Sequence, residues 1–194
     1  SWRLWDAYTS WRDLEPKKGQ WNFSQLDFDV NFASQRGVEI LLPLGNTPVW
    51  ASARPAESCA YGVGCAAEPQ NMLDWRNYVR TVATRYKGKI KQFELWNEVN
   101  LKEFYSGSQD KLLELQKAAY EELKAVDPDN ILVAPSITGN NTNELSKLDS
   151  YLAKGAGTYA DVISYHMYTP ASSPEALIPL VLEIRKIMHK HGVD

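Results

Sequence analysis

Short apolar runs alternate with stretches of helical periodicity along the whole chain, and few folds accommodate that order. A bounded apolar run of ~4–8 residues reads as a buried strand, and apolar residues at i, i+3, i+4 and i+7 read as a helix packed against it. Repeated strand–helix units predict a parallel sheet covered by helices. Trp2–Trp5 is a first short strand; beyond the loop from Ser10 to Trp21, Ser24 can cap a helix bearing Leu26, Val30 and Ala33, closed by Gly37. Glu39–Leu44 is a second strand, and a long loop to about Gln70 leads to a helix with Trp75, Val79, Val82, Ala83 and Tyr86 before Gly88. Lys91–Asn97 precedes a helix with Leu112, Leu115, Ala119, Leu123 and Val126, stopped by Asp127-Pro128. Ile131–Pro135 precedes a helix around Leu145–Lys154. Asp161–Tyr165 precedes a helix that starts at Ser173-Pro174 and carries Leu177, Leu180, Val181, Ile184 and Met188. The long connections all follow strands and the short ones follow helices, which places room for function at the C-terminal ends of the strands.

With 194 residues, 44% hydrophobic and 23% charged, the chain suits one folded domain, 1–194, and not a disordered or fibrous protein. The net charge of -3 offers nucleic acid no general attraction. The apolar run Ile40–Leu44 is far below the ~20 residues that span a bilayer, so neither nucleic acid nor a membrane is an expected partner. Cys59 and Cys65 flank a glycine-containing loop and read as a local disulfide, hence as a secreted or periplasmic protein; two free thiols in a cytosolic loop are the alternative. Two thiols without a nearby histidine do not make a zinc site, and neither metal nor cofactor is expected. His189 and His191, two apart, point in different directions and suit the last turn of a helix. Asn22-Phe-Ser24 and Asn140-Asn-Thr142 fit the glycosylation sequon and carry little weight.

The strand Phe93-Glu-Leu-Trp-Asn-Glu98 is the most informative stretch. Alternation puts Phe93, Leu95 and Asn97 on one side and Glu94, Trp96 and Glu98 on the other, with Phe93 and Leu95 facing the helices. Glu98 then falls where strand gives way to loop, where barrel enzymes keep their catalytic groups. Glu94 lies four residues, ~13 Å, down the strand and reads as an ion-paired group inside a barrel. Asp6 is the other carboxylate expected near the rim, where capping a loop or pairing with an arginine is its simplest role. Of the aromatics, 11% of the chain, Trp50 is the best candidate for a ring on which a sugar packs; Tyr105, Tyr168 and Trp11 also lie on or near the strand ends.

Arg3-Leu-Trp-Asp6, Trp11 with Leu14-Glu-Pro-Lys-Lys-Gly19 and Trp21, Leu44-Gly-Asn-Thr-Pro-Val-Trp50, Glu94-Leu-Trp-Asn-Glu-Val-Asn100 and Asp161-Val-Ile-Ser-Tyr-His-Met-Tyr168 together resemble the retaining glycoside hydrolases of clan A. Within the clan the resemblance is to family 39-like enzymes, β-xylosidases and bacterial exopolysaccharide hydrolases. It implies an α/β fold, the (β/α)8 TIM barrel, of which this chain holds about five central βα units, strands two to six. It also implies Glu98 as general acid/base, Asn97 as a contact to the sugar hydroxyl beside the reacting carbon, Arg3 near the nucleophile, and His166 and Tyr168 at the substrate site. The family's nucleophile, a Glu on strand seven, has no counterpart here. The expected partner is an oligosaccharide or polysaccharide with β-glycosidic bonds. The two open sheet edges call for further polypeptide or a second copy of the chain. A glycan-binding module without turnover is the rival reading. An α/β enzyme with a phosphate site is disfavoured, because no Gly-rich loop follows a strand.

Overall fold

A computed structural model describes residues 1–168 and 173–193. In chain order the elements are β1 (Trp2–Arg3), α1 (Trp11–Leu14), α2 (Ser24–Ser34), β2 (Ile40–Leu44), β3 (Ser58–Cys59), β4 (Gly62–Val63) and α3 (Met72–Arg85). They continue with β5 (Gln92–Leu95), α4 (Gln109–Val126), β6 (Ile131–Val133), β7 (Ile137–Thr138), α5 (Thr142–Ala153), β8 (Tyr165–His166) and α6 (Leu177–Lys190). Strands β1, β2, β5 and β6 form one parallel sheet in that spatial order. A parallel bridge from Val133 to Val162 and the parallel pair β7–β8 carry the sheet on to a fifth strand position. The result is an arc of a (β/α)8 barrel, with five parallel strand positions and helices on one face. The last strand is broken, not the continuous Asp161–Tyr165 expected.

The register sorts the side chains into two layers. Leu42, Phe93 and Leu132 are aligned neighbours and are fully buried towards the helices, as are Leu44 and Leu95. Arg3 aligns with Leu41, and Pro43 aligns with Glu94 and Val133, on the opposite, concave face. On that face Glu94, 1% exposed, accepts a hydrogen bond from Arg3 Nε at 2.6 Å and one from Ser164 Oγ at 3.3 Å.

Side-chain caps start three of the helices: Asn71 accepts from Leu73 N–H, Ser108 from Lys111 N–H and Asn141 from Glu144 N–H. Ser24 does not cap α2; it is the first helical residue, and Asn22 Oδ1 accepts its N–H. Helices α3 and α4 pack against each other, with Trp75 Nε1 donating to Leu115 O at 3.0 Å and Glu122 bridging Arg76 and Arg80. In α6 only part of the expected stripe is covered: Leu180 and Ile184 are buried, Leu177 and Met188 are half-buried, and Val181 is exposed along with Ile178 and Leu182.

Two outcomes follow. Arg3→Met leaves the Glu94 carboxylate buried without its partner; because Arg3 is itself partly exposed, the loss is about 2–3 kcal/mol, below the ~3–5 kcal/mol of a fully buried pair. Denaturant unfolding reads it, and adding Glu94→Gln recovers most of it; no recovery sinks the assignment. Burial pushes the Glu122 carboxyl up, but the Arg80 and Arg76 guanidiniums outweigh it and hold it below its usual 4.5. Its stabilisation is therefore present above pH 4.5 and lost as the pH falls through its folded value. The stability gap between wild type and Glu122→Gln should shrink on acidification; a gap constant from pH 7 to pH 3 contradicts this.

Candidate active site

Among the described residues five non-glycines adopt the left-handed region: Asp6 (φ 59°), Tyr8 (φ 56°), Asn46 (φ 58°), Trp96 (φ 57°) and Glu98 (φ 41°). All five follow the C-terminal ends of β1, β2 or β5. Such conformations cost of order 1–3 kcal/mol each and persist where surrounding structure enforces them, commonly at functional sites.

At the end of β5 the left-handed turn at Trp96 breaks the strand's alternation. The Trp96 side chain turns away from the concave face and packs against Trp75 and Tyr105, with ring centroids at 6.2 and 5.2 Å. Gly45 makes room for it, since a Cβ there would lie 3.1 Å from the indole. Trp96 Nε1 donates to Phe104 O at 2.6 Å. Asn97 consequently lies on the Glu94 side: its Oδ1 accepts from Arg3 Nη2 at 2.8 Å, while Arg3 Nε holds Glu94. The expectation that Asn97 shares the face of Phe93 and Leu95, and Trp96 that of Glu94, is thereby reversed.

Glu98 is anchored by its backbone, whose N–H donates to Ser136 Oγ at 3.0 Å, and Val99 N–H donates to Ser136 O. Its Oε1 lies 2.8 Å from His166 Nδ1 and accepts from Tyr168 OH at 3.4 Å. With Glu98 ionised, Nδ1–H is the donor. Asn100 ties the following loop to β7, donating to Thr138 O and Glu144 Oε2 and accepting from Thr138 N–H. Burial pushes Glu144 up, but the Lys147 ammonium and the Asn100 amide outweigh it and hold it below the usual carboxylate range. Arg3, Asn97, Glu98, His166 and Tyr168 thus meet at one rim of the concave face.

Trp50 has its contacts elsewhere: Nε1 donates to Glu15 O at 2.8 Å, the ring meets Trp11 edge-on, and Lys18 lies over it. Tyr105 is buried against Trp96. Asp6 accepts from Tyr61 OH at 2.5 Å, so its partner is a tyrosine and not an arginine. Cys59 and Cys65 are joined, with Cα atoms 5.9 Å apart, and close the hairpin β3–β4. Asn100 and Ser164 lie inside the quoted motifs without a role of their own, and Ser136 lies outside them; a small hydroxyl just past Pro135 at a strand end is the one available signal for Ser136.

Chemically the rim offers one carboxyl beside a ring nitrogen and a phenol, next to an amide held by a guanidinium. The other nearby carboxylates are committed, Glu94 to Arg3, Glu144 to Lys147 and Asn100, and Asp6 to Tyr61. No three His, Cys, Asp or Glu among the described residues are grouped to hold a metal ion.

Over 89 residues the chain is 37% identical to endo-1,4-beta-xylanase 3 of Hypocrea jecorina, a match covering 46% of this chain and 24% of that protein. It is 26% identical over 187 residues to endo-1,4-beta-xylanase C of Paenibacillus barcinonensis, covering 84% of this chain and 17% of that one. The chain therefore spans about a quarter or less of these two curated relatives. A monomeric beta-xylosidase from Caulobacter crescentus superposes with a TM-score of 0.72 at 19% identity, over 89% of this chain and 39% of that one, a likeness of fold. Residues 2–189 match the model of glycosyl hydrolases family 39, and the chain belongs to that family.

Proposed function

We propose that residues 1–194 form part of a catalytic barrel and carry the acid/base half of a site that hydrolyses β-glycosidic bonds with retention. The reading rests above all on Glu98 at the rim, with His166 and Tyr168 on its Oε1 and Asn97 held beside it by Arg3. In such a reaction one carboxylic acid protonates the leaving oxygen while a second carboxylate ~5 Å away attacks the anomeric carbon; the first then removes a proton from the water that releases the sugar. Glu98 is the first of these. The hydrogen bonds at its Oε1 orient the carboxyl, and Asn97 and Tyr168 contact the substrate. Every other rim carboxylate named above among the described residues has a partner of its own, and the attacking carboxylate comes from polypeptide outside residues 1–194. That polypeptide also covers the outer strands of the arc. The relatives' names point to a β-linked oligosaccharide or polysaccharide of the xylan type as substrate, and the disulfide suits a secreted or periplasmic protein.

Expressed alone, residues 1–194 should hydrolyse no β-glycoside, whereas the protein extended through the remaining barrel strands should. In the extended protein Glu98→Gln should lower kcat by ~10²–10⁴ on natural linkages and far less on activated aryl glycosides, whose leaving oxygen needs no proton. Azide should then yield a glycosyl azide of retained configuration. Full activity of the Gln variant on natural substrate, or a glycosyl azide of inverted configuration, would falsify the reading.

A further inference from the structure

We propose that the hairpin closed by Cys59–Cys65 builds a second sugar-binding subsite, with Tyr61 and Trp5 as its walls, that fits the site to oligosaccharides; the inference rests on the function proposed above. Beside the Glu98 rim a cavity of about 350 Å³ is lined by Trp5, Asp6, Tyr8, Arg12, Asn46 and Tyr61 among others. That volume falls within the ~300–1,000 Å³ of small-molecule sites. It adjoins the rim, because the Arg3 guanidinium that holds Asn97 lies 5.7 Å from the centroid of Trp5.

The lining has the two components a sugar needs. Trp5 and Tyr61 meet edge-to-face at 5.6 Å, each ring half-buried, which leaves ring surface for the C–H face of a pyranose. Asp6, Arg12 and Asn46 supply polar groups for hydroxyls. Asn46 is 4% exposed, and its Oδ1 has no hydrogen-bond partner among the described residues. Asp6, Tyr8 and Asn46 are three of the five non-glycines in the left-handed region, so the cavity lies where the chain departs most from regular strand.

Tyr61 is held in place from several sides. The disulfide closes the hairpin, Arg12 Nη1 donates to Tyr61 O, Tyr61 OH donates to Asp6, and Ala60 N–H donates to Glu103 O. Phe104 lies 6.2 Å from Tyr61 and 6.3 Å from Trp5, so the aromatic wall is continuous with the loop that follows Glu98. A ring fixed at this rim acts as a specificity-determining group.

The test is calorimetric binding of xylotriose and cellotriose, with methyl β-xyloside and methyl β-glucoside as single-sugar controls. It uses the full-length protein carrying Glu98→Gln, which slows turnover of the ligand during the measurement. Adding Tyr61→Ala should weaken binding of the trisaccharide about tenfold, an aromatic contact's contribution, while leaving the single sugar unchanged. Tyr61→Phe keeps the ring and should keep the trisaccharide affinity. Reducing the disulfide without any further substitution should shift the trisaccharide in the same direction as Tyr61→Ala, an arm that does not depend on the Tyr61 variant folding. No trisaccharide binding before substitution, equal weakening of both ligand lengths, or no change in both arms overturns the subsite. Failure of the proposed function reads differently, as Glu98→Gln protein that still cleaves the natural substrate.

Discussion

The ion pair between Arg3 and Glu94 is the constraint on which the concave face depends. The Glu94 carboxylate is almost wholly buried and receives Arg3 from the first strand of the arc and Ser164 from just before the last. A carboxylate in that position without donors would cost several kcal/mol, so Arg3 has no freedom to leave it. Its second nitrogen is thereby fixed in space and holds Asn97. The orientation of the amide next to Glu98 is therefore set from two strands away, by the Arg3 guanidinium on β1.

Above that pair, the rim is built by departures from regular strand. Regular alternation would have pointed Trp96 into the concave face and Asn97 into the helix layer. One left-handed residue exchanges them, sending the large ring to the apolar layer and the amide to the polar one. The hydroxyl and carbonyl of Ser136 then hold the chain beyond the turn, so the direction of the Glu98 carboxyl is decided by backbone hydrogen bonds as well as by its rotamer.

The strand–helix order was legible because burial demands it at every position: Leu42, Phe93 and Leu132 had to be apolar whatever the function. The convergence of Glu98 with His166 was legible through motif likeness, and the Cys59–Cys65 bridge through proximity in the chain. Asn97 was assigned to the wrong face because a positive φ at a tryptophan leaves no trace in composition or periodicity. Trp50 illustrates a different limit. An aromatic in a strand-end loop either packs against its neighbours or waits for ligand, and its Glu15 and Trp11 contacts, distant in the sequence, are visible only once the chain is folded. Tyr61 escaped for the converse reason, since nothing about a tyrosine between two cysteines reveals that Trp5 and Asp6 lie opposite it.

The left-handed backbone at Glu98 ties this residue's chemistry to the stability of the whole fold. A side chain at φ 41° opposes folding, and glycine at the same position would not. Losing the carboxyl together with its Cβ would therefore relax the rim even as it removed the proposed acid/base. Random mutation selected for thermostability alone would drift towards glycine here, at the expense of the proposed acid/base, so stabilising substitutions are better sought in the helix layer, away from the rim.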